Sequence, residues 1–289
     1  MLVTRHGRRF ALLLRSVMTS PILRLEGIVP TLYKSILSKN VLQLDVTETK
    51  ATCGNCLRSR DKRFAYTYKS TIKCCTFHPY MPNFAVGGLL QLKTDTVGIQ
   101  NLRKKIIERE FAFPIGLMAP FDYQFKFLNK DESDFGNDEN LLCPYYDRLK
   151  NQCSVWQYRG VVCTSFFCRS DYGQNGLKFW AVLSDYLSYV EMALAEECLV
   201  QLDFSPRDLS DQLEFLNKRE FEQGETEQRK LSVETDMALW NGYSDKIEFY
   251  QKCFAIVQKL DRTQFREIIG QQGLGLEQEV IEYANYRKN

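Results

Sequence analysis

Eight of the ten cysteines in this 289-residue chain lie between positions 53 and 168, in two groups. Cys53 and Cys56 enclose two residues and are followed by the doublet Cys74-Cys75. The second group is Cys143, Cys153, Cys163 and Cys168. Thiolates are strong ligands for soft metals, and a reducing compartment keeps thiols free to act so. Clustered cysteines without a secretory signal therefore point to a metal ion or an iron–sulfur cluster. Cys53, Cys56, Cys74, Cys75, Cys143, Cys153, Cys163 and Cys168 are the candidate ligands.

In Cys53-Gly54-Asn55-Cys56 the short spacer lets both sulfurs face one ion, and Gly54 relaxes the turn between them. Redox enzymes use the same spacing, but the strand–motif–helix setting of a thioredoxin is missing. Neighbouring side chains diverge on extended backbone. Of Cys74 and Cys75, one can then bind while the other faces a second site or the core. The second group sits among aromatics. Tyr145, Trp156, Phe166 and Phe167 form either an apolar wall that limits water and tunes a centre or plain core. Arg159 either balances the charge that four thiolates impose or makes a surface ion pair. Trp156 and Arg159 are the residues expected to stand around the ligands.

The stretch Cys153-Ser-Val-Trp-Gln-Tyr-Arg159-Gly-Val-Val-Cys163 resembles the Cys-x-Ile-Tyr-x2-Arg-Pro-x2-Cys signature of the YkgJ-like cysteine-cluster family, which is described as chelating zinc or iron. That family carries a compact Cys-x2-Cys-x2-Cys-Cys element upstream. Cys53, Cys56, Cys74 and Cys75 keep its order, but residues 57–73 stand where the family has two residues, and Gly160 replaces its usual proline. The run from Cys74-Cys75 through His78-Pro79, Pro82-Asn83 and Gly87 is similar to a divergent bacterial branch with this arrangement. The resemblance covers roughly residues 50–200. It implies cluster chelation, as in flagellin lysine methylases, which carry a similar cluster. It carries over no catalytic residue beyond the cysteines.

Eight thiols suffice for two closed zinc sites, each adding on the order of 10 kcal/mol to folding. They equally suffice for one [4Fe–4S] cluster with thiols to spare, or for two clusters. The irregular spacing of the second group is unlike a zinc ribbon, and its aromatic surroundings suit a buried cluster. Iron–sulfur is the preferred cofactor and zinc the alternative. A disulfide framework comes third, because a chain of this length builds a core without staples.

The elements that must position these thiols are mostly helical. A 44% hydrophobic and 13% aromatic composition suits a packed core. A net charge of +2 gives no electrostatic case for nucleic-acid binding, and no apolar run is long enough to span a bilayer. Arg5, Arg8, Arg9, Arg15 and Arg24 precede the first acidic residue, Glu26. That start reads as a basic leader or as residues upstream of a start at Met18, with an organelle-targeting peptide as the alternative. Leu32, Ile36 and Leu37 mark a short helix. Helices are expected from Phe84 and over 98–109, the latter with Leu102, Ile106 and Ile107 on one face. Gly87 and Gly88, poor helix formers, suggest close backbone packing. Residues 111–127 read as short extended segments broken by Pro114 and Pro120. The acidic stretch 131–139 reads as a solvated loop.

Leu183, Leu187, Val190, Leu194 and Cys198 repeat at helical spacing, as do Tyr250, Cys253, Phe254, Val257 and Leu260. Cys198 and Cys253 are thus expected in the core. Ser205-Pro206 should start a helix. Residues 223–228 read as a polar loop. Gly270, Gly273 and Gly275 read as a turn between terminal helices. Three regions follow: a leader and short helix over 1–45, a cysteine-cluster region over 46–175 and a helical region over 176–289. The fold class expected is mainly α with an irregular cysteine-rich metal-binding subdomain, α+β if the strands near 111–128 form.

Other chemistry is thin. His6 and His78 are the only histidines. His78 could ligate metal, act as a base or cap a turn. No P-loop or S-adenosylmethionine motif is visible. The expectation is a cytoplasmic metal-cluster protein whose centre is structural and whose helical tail binds a protein partner. The alternative is an iron–sulfur enzyme, redox or protein-modifying.

Overall fold

The computed structural model describes residues 22–47, 56–59, 66–168, 170, 172–218 and 220–287. Two short helices, α1 (Tyr33–Ile36) and α2 (Lys39–Leu42), precede a strand β1 (Met81–Pro82) and helices α3 (Asn83–Leu90) and α4 (Val97–Ile107). A hairpin of β2 (Ala112–Phe113) and β3 (Gly116–Leu117) leads into α5 (Phe121–Leu128). A second small hairpin, β4 (Tyr146–Asp147) and β5 (Gln152–Cys153), is followed by the one-turn α6 (Val161–Thr164). The remainder is helical: α7 (Gly173–Gln201), α8 (Pro206–Asn217), α9 (Val233–Leu239), α10 (Lys246–Lys259) and α11 (Arg262–Tyr286). The chain is mainly α with minor β.

Periodicity built this frame as expected. Leu183, Leu187, Val190, Leu194 and Cys198 form the buried stripe of α7, and Tyr250, Cys253, Phe254 and Val257 that of α10. Both cysteines are fully buried, with the Cys198 thiol donating to the Cys253 carbonyl at 3.5 Å. Ser205 caps α8 in a capping box with Asp208, and Pro206 occupies the first turn. The most extensive helix–helix contacts are those of α3 with α10 and of α7 with α11. Gly87 and Gly88 explain the first of these. A Cβ on Gly87 would lie 1.8 Å from the Tyr250 carbonyl oxygen, and one on Gly88 would lie 2.6 Å from the Tyr158 ring.

The β2–β3 hairpin, joined by β1 along β3, is too short to hold itself. Side chains remote in the chain satisfy its carbonyls. Tyr250 Oη donates to Phe113 O (2.6 Å), Tyr80 Oη to Ile115 O (2.6 Å) and Trp240 Nε1 to Ala112 O (3.3 Å). Asn83, fully buried at the start of α3, donates to Pro114 O (3.2 Å) and to Ala195 O of α7 (3.0 Å). These bonds are what a buried irregular segment requires.

Two expectations need correction. Residues 121–128 form a helix, not an extended segment. Pro120 sets the extended cap, and Phe121 and Phe125, four apart, share a face that the β-propensity of phenylalanine disguises. In α4, Ile107 is 70% exposed and Lys105 is 3% exposed, because Lys105 follows Leu102 by one turn and so shares its face. The break expected near 270 is present: Gly270 has non-helical backbone (φ 56°, ψ −164°), and two helical segments meet there. Of the three glycines only Gly270 makes the break, with Gly273 and Gly275 in the helical segment after it, and the link between α10 and α11 is Leu260-Asp261.

Candidate functional site

The two cysteine groups meet. Cys143 N donates to Cys75 O (2.8 Å), which lays the start of the second group along the end of the first. Cys153 is brought back by the β4–β5 hairpin, in register with Tyr146, whose amide donates to Cys143 O (3.1 Å). Cys163 sits in α6, with its amide on Gly160 O (3.1 Å), and α6 rests on α7. The preceding turn is fixed by Lys73, in the left-handed region (φ 54°), whose Nζ donates to Asn151 O (2.8 Å).

Cys74, Cys75, Cys143, Cys153 and Cys163 line one cavity of about 300 Å³. Its walls are Phe77, Pro79, Phe127, Phe135, Val155 and Phe166, and it is bordered by Trp156, Arg159 and Val162. Trp156 is 46% and Val162 44% exposed. Cys56 and Cys168 are half-buried and outside this lining. Cys53 lies outside the described residues. All nine described cysteines are free thiols.

The expected neighbours separate. Trp156 and Phe166 border the cavity, whereas Phe167 stacks on Trp180 (5.5 Å) and Tyr145 is buried in the core. Arg159 is not a surface residue: it is 6% exposed and its guanidinium lies 3.7 Å over the Trp156 ring. It donates to Trp156 O (2.8 Å) and to Ile28 O. Gly160 has φ −67°, which proline would share, but a Cβ there would lie 2.6 Å from Tyr80 O. His78 does not line the cavity. Its Nδ1 pairs with Pro79 O (3.1 Å), its ring packs on Tyr123 and Tyr145, and burial holds it well below the usual histidine range.

The thiols sit in a dry environment. Burial pushes Cys163 up to about 12 and Cys143 well above the ordinary thiol range. Cys75 is raised by its hydrogen bond with Cys74 and by burial. That same bond lowers Cys74, with help from the Lys73 charge. At neutral pH most of these groups are therefore protonated donors. They become good ligands when a cation supplies the compensating charge. The donor set fits a thiophilic group in kind and number, and the cavity far exceeds the 10–15 Å³ or so that one water occupies. Among the described residues, no three or more His, Cys, Asp or Glu side chains stand in an arrangement that holds a metal ion.

Sequence reasoning passed over several buried ionisable groups, Glu191 and Lys105 among them. Glu191 of α7 accepts from Tyr33 Oη (3.2 Å), and burial pushes its carboxyl up to about 8. Burial pushes Lys105 down to about 8, with Glu110 3.5 Å away. Of these two, only Lys105 left a signal, its one-turn spacing from Leu102.

No family model matches the chain, and no curated protein or solved structure matches it. Among the described residues, no helix is long and apolar enough to cross a membrane.

Proposed function

We propose that the chain binds a thiolate-ligated metal centre in the Cys74–Cys163 cavity, an iron–sulfur cluster in preference to zinc. One observation carries this reading: thiols from both sequence groups line the same apolar cavity. The volume exceeds what a single ion needs, and the aromatic walls suit a cluster whose potential is set by exclusion of water. The resemblance of residues 153–163 to a zinc- or iron-chelating signature agrees. Cys74, Cys75, Cys143, Cys153 and Cys163 would hold the centre as thiolates, which would tie the loops at 74–75, 143 and 153 to α6. Arg159 and Trp156 then border the centre, with the guanidinium offsetting thiolate charge. Free thiols fit a reducing, cytoplasmic setting, and the helical tail is the surface offered to a protein partner.

A second reading is favoured by the exposure of Trp156 and Val162. A centre reached through that border meets a substrate or an electron-transfer partner, as in a redox or protein-modifying enzyme.

The test is anaerobic purification of the full chain, followed by absorption spectroscopy and analysis of metal and labile sulfide. Brown protein with iron and sulfide supports the preferred cofactor, and stoichiometric zinc without colour selects the alternative. Metal-free protein that binds neither after reconstitution overturns the proposal.

A further inference from the structure

We propose that residues 2–18 of this chain dock, as a basic amphipathic helix, into a groove on the solvent side of α7 between α8 and α11. The proposal concerns the helical region and stands apart from the metal-centre reading.

The groove has a volume of about 380 Å³. Tyr189, Met192, Ala193 and Val200 of α7 line it, with Leu209 of α8 and Ile268 of α11. The α7 residues form a second stripe at helical spacing, rotated away from the buried stripe that runs from Leu183 to Cys198. Tyr189, Met192 and Ala193 are half-buried, as are Leu209 and Ile268, and Val200 is 56% exposed. Three helices thus meet here without closing over an apolar face.

The other lining residues are Glu196 and Glu197, and no lysine or arginine lines the groove. Glu197 accepts from Gln201 Nε2 (2.7 Å), and neither carboxylate forms an ion pair among the described residues. Burial raises the Glu196 carboxyl above its ordinary range, a direction that a cation over the groove would reverse. A groove both apolar and negative suits a helix that is apolar on one face and positive on another.

The chain carries such a pattern in residues 1–21, which lie outside the described residues. That segment contains no acidic residue. At about 100° per residue, Arg5, Arg8, Arg9 and Arg15 fall within an arc of roughly 120°. Leu2, Val3, Phe10, Leu13, Leu14 and Val17 fall within a second arc of roughly the same width, and His6 and Leu12 are the exceptions. Reach is sufficient. The chain after Ile22 runs beside α2, with Leu25 N donating to Leu44 O (2.9 Å), and α2 rests on α11. As a helix residues 2–18 span about 26 Å, and residues 19–21 add about 10 Å, close to the ~37 Å length of α11. Once docked, the segment covers this face, and a protein partner that uses the face must displace it.

The experiment is amide hydrogen–deuterium exchange on the full chain, followed over residues 2–18. These amides should exchange at least about tenfold more slowly than those of an unstructured peptide, at every protein concentration. Glu196→Lys with Glu197→Lys should cut the protection roughly tenfold, as expected when exposed ion pairs become repulsions. Adding Arg8→Glu and Arg9→Glu should restore it. Far-UV circular dichroism checks that each variant folds, and should the groove variant fail, Arg8→Glu with Arg9→Glu alone reads the same loss. Peptide-like exchange over 2–18 in the parent overturns the proposal, as does protection that survives either charge reversal. Protection that rises with protein concentration overturns it in favour of a second copy on the groove. Protection that appears only with anionic lipid vesicles overturns it in favour of a membrane surface.

Discussion

The frame beneath the site rests on the contact between α3 and α10, and Gly87→Ala probes it directly. The added Cβ would stand 1.8 Å from the Tyr250 carbonyl oxygen, 2.6 Å from its carbonyl carbon and 2.9 Å from Phe254 Cβ. Relaxed contacts of carbon with heavy atoms lie at about 3.5–4.0 Å, so the helices must part by more than ~1 Å. Neither yields easily. Tyr250 is anchored by its hydroxyl to Phe113 O (2.6 Å), and α3 is anchored through Asn83 to Ala195 O (3.0 Å). Overpacking typically costs about 1–3 kcal/mol. A clash with backbone, which has no rotamer to escape into, belongs at the upper end or above. Alanine's helix propensity returns about 1 kcal/mol, leaving a net loss of roughly 2–3 kcal/mol. Urea denaturation followed by far-UV circular dichroism reads this as a lower midpoint at unchanged slope. Gly275→Ala is the control. It is exposed on α11 with nothing within 4 Å of the new Cβ, and should gain about 0.5–1 kcal/mol. Gly88→Ala pushes on the Tyr158 ring (2.6 Å), and so on the turn that carries Trp156. A Gly87→Ala protein as stable as its parent would refute the close approach.

Two further outcomes are expected. Lys105 faces Glu110, Arg229, Asp122 and His78, and its amine falls from an ordinary 10.5 to about 8 on folding. The unfolded chain therefore holds the proton between those values, stability rises with pH across that window, and at pH 7 the buried charge costs roughly 3 kcal/mol. Lys105→Met should flatten the rise and match or exceed the parent at pH 7, because Glu110 keeps Arg229 (3.2 Å). Parallel stability–pH curves would count against this. Cys253→Ser, in the fully buried stripe of α10, should cost about 1–2 kcal/mol and leave metal content at the parent level, whereas Cys163→Ser should strip metal from the cavity centre. Equal effects on metal content would remove the distinction between core and ligand thiols.

Much of the fold was legible because it depends on local periodicity. The stripes of α7 and α10, the Ser205-Pro206 start and the tight glycine pair each declare themselves within a few residues. The failures share a cause. The helix at 121–128 is rich in phenylalanine, whose propensity argues for strand, and the decisive fact is what Phe121 packs on: Phe111 at 4.6 Å and Phe221 at 5.2 Å. Lys105 read as a polar residue on a charged helix. Its burial follows from the angular position it shares with Leu102, and its tolerance from Glu110 beyond the helix end. Asn83 gave no sign that it would tie α3 to the Pro114 and Ala195 carbonyls, since those partners are remote in the chain.

The convergence of the two cysteine groups on one cavity was suggested in kind and not in arrangement. Ligand chemistry resides in residue type, so the cysteines could be named as candidate ligands from the sequence. Convergence depends on the Cys143–Cys75 backbone bond and on the β4–β5 hairpin, and neither has a signature at short range. The aromatics show why composition alone misleads here. Trp156, Phe167 and Tyr145 looked equivalent, yet one borders the cavity, one stacks on Trp180 and one is core. What separates them is the local element. Trp156 lies in a single-turn helix outside the frame, while Phe167 and Tyr145 are drawn against α7 and the hydrophobic cluster. The same logic governs the thiols. Cys198 and Cys253 face into long helices with no freedom to reorient, whereas the cavity cysteines sit on turns, two-residue strands and a one-turn helix. Short elements hold backbone position through remote bonds, and the proposed metal centre would require the thiols on them to reorient toward the ion.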